Sequence, residues 1–151
     1  MPEAPGDALA GAAIETFEQL AFLFAEPLPA PAPAGAREWV AVVPFSGPRT
    51  GALVLRVSDD VLAELAANML GLDEPPGDEA CRDALGEAAN IVCGNVLPRV
   101  SGTAVVYALG APVAFPAWDD ALRALGEPVA RVPLAVEQGT AEVALIMHPT
   151  P

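Results

Sequence analysis

Positive charge is scarce in this chain: seven Lys+Arg face 20 Asp+Glu across 151 residues, a formal net charge of −13. A surface of that sign has no electrostatic attraction for phosphodiester backbones or anionic headgroups, so neither nucleic acid nor a membrane is an expected partner. Histidine occurs once and cysteine twice. One imidazole and two separated thiols cannot assemble a zinc centre of the usual ligand count, and no metal site is expected. Cys81 and Cys93 fall in one helical segment, roughly 18 Å apart at about 1.5 Å of rise per residue, which is beyond disulfide reach. Long apolar runs are missing too. The most apolar stretch, LAFLFA at 20–25, lies between Glu18 and Glu26 and is far too short to span a bilayer. The opening MPEAPGDALAGAA has no basic region of the kind a secretory signal carries. A cytoplasmic protein is expected.

What is present is enough apolar material for a core. Hydrophobic residues make up 53% of the chain and charged residues 18%, a balance that excludes disorder of the whole. At this length a single domain over residues 1–151 is expected, with a Pro/Ala-rich connection at 27–36. A first helix is predicted from about Asp7 or Ala8 to Ala25, with Ile14, Phe17, Leu20, Ala21 and Phe24 on one face. EWVAVVPFSGPRTGALVLRV reads as a hairpin. Ser58 reads as the N-cap of a second helix, DDVLAELAANML, which Gly71 closes. A third helix is predicted from about Asp78 to Leu97, ended by Pro98. TAVVYAL then reads as a strand, residues 117–125 as a short helix, and VARVPLAVEQGTAEVALIM as a second hairpin turning at Gln138-Gly139. This order predicts an α+β fold: an antiparallel-rich sheet with two long helices packed on one face.

The third helix carries the chemistry. In RDALGEAANIVCGNVLPRV, at 82–100, three polar side chains interrupt an otherwise apolar segment at spacings of four and three. On a wheel of about 100° per residue with Asp83 at zero, Glu87 falls near 40°, Asn90 near −20° and Gly94 near 20°. Cys81, Leu85, Ala88, Val92 and Val96 fall between roughly 140° and 220°, on the opposite, core-facing stripe. Glu87 and Asn90 can therefore present their heads side by side, and Gly94 removes a side chain where a partner surface could approach. A mid-helix Asn is mildly unfavourable, where Gln, Lys or Glu would serve better, and Gly86 costs about 1 kcal/mol of helix propensity against alanine.

These residues resemble the signature helix of the CheC/CheX/FliY phosphatase family of bacterial chemotaxis, whose motif runs Asp or Ser, three residues, Glu, two residues, Asn. Asp83, Glu87 and Asn90 meet it, and the Gly-Asn that follows makes the segment CheX-like. IETFEQLAFLFAE, GALVLRVSDDVLAELAANMLG and VPLAVEQGTAEVALIM extend the likeness in order along the chain. The first helix offers no second Glu-x-x-Asn, and Pro112 follows Asn90 one residue earlier than the family's proline does. The resemblance implies hydrolysis of the aspartyl-phosphate of a CheY-like response regulator. Asn90 would orient the attacking water and Glu87 would pair with the receiver's lysine. It also implies Asp83 and Gly94 at the partner interface, Mg²⁺ on the receiver with no cofactor on this chain, and a homodimer. A receiver-binding adaptor or motor-switch scaffold on the same fold is the alternative reading, and a structural dimerisation domain a third. Elsewhere, Trp39 and Trp118 read as core or interface aromatics. Phe22 is expected to pack beneath the proline tract, with a partner contact as the alternative, Asn68 to face solvent, Asn95 to cap the helix end or make an edge contact, and His148 to be exposed.

Overall fold

The computed structural model describes residues 2–31 and 37–149. Pro5, pre-set for a helical φ, opens α1 (Pro5–Ala21), and the small residues Ala8, Ala12, Ala13 and Ala21 let it lie close to its neighbours, with Leu9 and Phe17 buried among them. The helix ends four residues before the expected Ala25. Phe22 takes a left-handed conformation at φ 57°, and its N–H and that of Leu23 bond back to Glu18 and Phe17. The chain then leaves as β1 (Ala25–Pro27), which pairs antiparallel with β6 (Ala130–Val136). Glu137 enforces that exit, accepting the Phe24 N–H on its carboxylate and donating its own N–H to the Phe24 carbonyl. Phe24 is consequently exposed, not on the buried face, and Phe22 stands 82% exposed, not covered by the described part of the proline tract. Residues 32–36 of the proline tract lie outside the described residues.

The first hairpin forms as expected from β2 (Glu38–Ser46) and β3 (Arg49–Ser58). Ser58 has the extended backbone of an N-cap, but its hydroxyl donates to the Asp60 carboxylate and accepts from the Thr140 N–H, so it caps no helical N–H. α2 (Asp59–Leu70) ends at Gly71, whose φ of 69° suits a residue without a Cβ. Asn68 is exposed, as expected, and also donates from Nδ2 to the Ala21 carbonyl at 2.7 Å, closing the end of α1.

α3 (Asp78–Ser101) runs through Pro98. Only the bond to the carbonyl four residues back is forfeited, and that carbonyl belongs to Gly94, which is exposed and so accessible to solvent. The last turn is held from outside: Glu3 N–H bonds Arg99 O at 2.8 Å, Gly102 N–H bonds Pro98 O at 2.8 Å, and Ser101 meets Tyr107 OH at 2.9 Å. Asn95 is exposed mid-helix and caps nothing, because the helix ends six residues later.

The predicted strand at 103–109 shrinks to β4 (Ala108–Leu109), and a further strand, β5 (Val113–Phe115), follows it on the same edge of β2. The cause is Pro44, which has no N–H for the ladder. Phe45 and Ser46 pair with β4 and residues 40–42 pair with β5. Between them Gly110, Ala111 and Pro112 oppose only Val43 and Pro44, a bulge anchored by Gly110 N–H on Pro44 O at 2.8 Å. α4 (Trp118–Leu125) is close to the predicted span, and β6 with β7 (Gly139–Pro149) makes the second hairpin.

The sheet is antiparallel throughout, in the order β1-β6-β7-β3-β2-β4 with β5 also on β2. Side chains alternate between its faces. Leu53, Leu55, Val143 and Leu145 join α1, α2 and α3 on one face, so both long helices share it as expected; Val40, Val42, Val54 and Ile146 meet Trp118 and Ala121 of α4 on the other. On that second face Glu38, Arg56, Glu142 and Arg131 form a charge ladder across four strands, with gaps of 3.6, 3.8 and 2.9 Å. His148 is exposed, as expected, with Nε2 3.2 Å from the Leu125 carbonyl. Among the described residues no helix is long and apolar enough to cross a membrane.

Both cysteines are free and buried on α3. Burial pushes the Cys93 thiol from its ordinary 9.0 up to about 12, and burial, then Asp78 and Asp59, raise Cys81. Above pH 9.0 the unfolded chain gives up the Cys93 proton while the folded chain keeps it, so stability is full below that pH and falls on the way to 12. The expected slope from this thiol is about 1.4 kcal/mol per pH unit. Urea unfolding on either side of pH 9.0 measures it, and Cys93→Ala should flatten the alkaline limb.

Candidate functional site on the third helix

The wheel drawn from the sequence holds in three dimensions. Cys81, Leu85, Ala88, Val92 and Val96 are buried, while Asp83, Glu87, Asn90 and Gly94 are exposed along one ridge of α3. Among the described residues nothing bonds the side chains of Asp83, Glu87 or Asn90. A carboxylate and a carboxamide less than one turn apart therefore stand with their hydrogen-bonding capacity unspent. Between them they offer an anionic acceptor and a group that both donates and accepts.

The ridge forms one wall of an open groove of about 1090 Å³. Arg82, Asp83, Gly86, Glu87 and Asn90 line it from α3, the start of β2 forms its floor, and residues 109–116 stand opposite. Gly94 lies one turn further along the ridge, outside the groove, with open space where its Cβ would be.

Two parts of the site were not drawn from the sequence. Gly86 is the contact point between α3 and the bulge: a Cβ there would stand 3.0 Å from Pro112 Cβ and 3.4 Å from its Cγ. Pro112 thus reaches the helix beside Glu87 despite the one-residue shortening. Gly86→Leu is expected to lift Pro112 and lower stability by about 1–3 kcal/mol through overpacking, read as a lower urea midpoint. Gly86→Ala, where helix propensity offsets a contact that must yield by a few tenths of an ångström, is expected to be near neutral. The second part is Trp39, whose indole N–H donates to Asp59 at 2.8 Å while the guanidinium groups of Arg37 and Arg82 lie over its ring at 4.4 and 5.0 Å.

The fold and the ridge together define an α+β protein with one helix-borne Glu-x-x-Asn pair displayed at a groove. A model of the family described as chemotaxis phosphatase CheX matches residues 39–115, which contain Glu87, Asn90 and Pro112; the chain belongs to this family. Solved structures agree at the level of fold. A CheX from Vibrio vulnificus aligns with a TM-score of 0.74 at 17% identity, covering 97% of each chain. One from Desulfovibrio desulfuricans gives 0.72 at 16% identity, over 95% of this chain and 99% of that one. The CheX of a CheX–CheY–BeF3–Mg²⁺ complex from Borrelia burgdorferi gives 0.68 at 13%, over 94% and 96%. No curated protein matches the chain in sequence.

Proposed function

We propose that the chain accelerates hydrolysis of the aspartyl-phosphate of a CheY-type response-regulator receiver. The observation that carries this reading is the partnerless Glu87–Asn90 pair on an exposed helix ridge in a chain of the CheX family. In the reaction water oxygen bonds to phosphorus as the bond from phosphorus to the aspartyl oxygen breaks, leaving a free carboxylate and inorganic phosphate. Little covalent help is needed, because phosphoryl transfer rests on positioning and charge stabilisation. Asn90 would enter the receiver's pocket, accept a hydrogen bond from the water and hold it in line with phosphorus. Glu87 would pair with the receiver's lysine and fix the docked geometry. Asp83 and Gly94 flank the pair and would meet the partner's surface. The Mg²⁺ would belong to the receiver. The family likeness also supports a homodimer, for which light scattering is the test, and a place in the cytoplasm.

The reading is tested by following phosphate release from a phosphorylated CheY-type receiver with and without the chain. A catalytic amount should shorten the lifetime of the phosphorylated receiver. Tight binding with an unchanged lifetime would instead establish an adaptor on the same helix face.

A further inference from the structure

The chain carries a charge of −13, yet the pocket it is proposed to enter is itself acidic, so long-range forces oppose the encounter. Docking therefore needs a local reversal of sign next to the ridge. Among the described residues Arg37, Arg56, Arg99, Arg123 and Arg131 are each held by a carboxylate. Arg49 bonds the Met147 sulfur outside the groove. Arg82 has no carboxylate within 4.0 Å among the described residues, is exposed, and lines the groove. Its guanidinium is stacked 5.0 Å from the centre of the Trp39 ring, and Trp39 is fixed in turn by its bond to Asp59.

A guanidinium stacked on an aromatic face keeps its in-plane N–H groups free, in the fork that matches a carboxylate. Arg82 is also eight residues from Asn90, roughly 12 Å along the helix axis. At that separation Arg82, anchored on Trp39, does not reach the phosphoryl centre that Asn90 would touch and meets the partner's surface beyond it. We infer that Arg82, held on Trp39, is a docking residue that takes a carboxylate side chain on the rim of the receiver's phosphorylation pocket, and so selects the partner. The inference rests on the receiver reading above.

The test is titration of the full chain with a CheY-type receiver from the same genome, activated with beryllofluoride and Mg²⁺. Arg82→Glu is expected to weaken binding about 10- to 100-fold, because a like charge then faces the rim. In turnover it should raise KM and leave kcat at saturation unchanged. Arg82→Lys, which keeps the charge and loses the fork, should fall between the two and retain more of the salt dependence. Equal affinity of wild type and Arg82→Glu overturns the docking role and leaves the receiver reading standing. A loss confined to kcat also overturns it. A wild-type chain that neither binds the activated receiver nor releases phosphate removes both readings together.

Discussion

Asn90→Ala is expected to lower the chain's acceleration of receiver dephosphorylation by about 10²-fold or more, the usual cost of removing one well-placed polar group from a charge-developing reaction. The variant should fold at least as well as the wild type. Asn90 is exposed and bonds nothing among the described residues, and alanine is the better helix former by up to about 0.7 kcal/mol. The loss should fall on kcat, with affinity for the activated receiver nearly unchanged. Single-turnover decay of the phosphorylated receiver at saturating chain separates the two quantities. Glu87→Ala should behave differently, weakening binding as well as turnover, because it removes an ion pair. An Asn90→Ala chain as active as the wild type would show that the water is positioned by something else. A chain that loses affinity but keeps the wild-type rate at saturation would place Asn90 in docking alone.

The ridge was legible in the sequence because a helix imposes its own period: once the core positions of α3 are fixed, the opposite stripe follows. The hairpins were legible for the same kind of reason, alternation within each run. What was not legible was decided by groups distant in sequence. The end of α1 depends on Glu137, 113 positions from its partner Phe24. The continuation of α3 past Pro98 depends on Glu3 and Tyr107. The split of the edge strand depends on Pro44, whose missing donor is a local fact with a remote consequence: the bulge that carries Pro112 to Gly86 and builds the far wall of the groove. Trp39 could be read as a core or interface aromatic, but its arginine partners come from the 27–36 connection's far side and from α3, elements that only the fold brings together.

Arg56→Leu should be the most destabilising of the polar substitutions, by about 3 kcal/mol, because breaking a buried pair leaves an uncompensated charge. The sequence hides this role. Arg56 and Glu142 look like isolated polar residues inside the apolar strands β3 and β7, and only the register that sets them opposite each other makes them a pair. Their side chains are 5% and 4% exposed, and Arg56 also lies 3.6 Å from Glu38, whose other carboxylate oxygen accepts the N–H of Trp118. Removing the guanidinium leaves Glu142 with Arg131 alone and Glu38 with one backbone donor. Arg131, at 43% exposure, can be served by water, which limits the loss. Adding Glu142→Leu to Arg56→Leu should therefore recover at least half of the deficit, since two apolar groups now pack where two charges were desolvated. Urea unfolding of the two single variants and the double variant closes the cycle. If the double variant is as unstable as the sum of the singles, the ladder's members act independently and the pairing argument fails. Because the ladder lies across the sheet from the helix ridge, a folded Arg56→Leu chain should keep the wild-type kcat, so that stability and turnover are lost by separate routes.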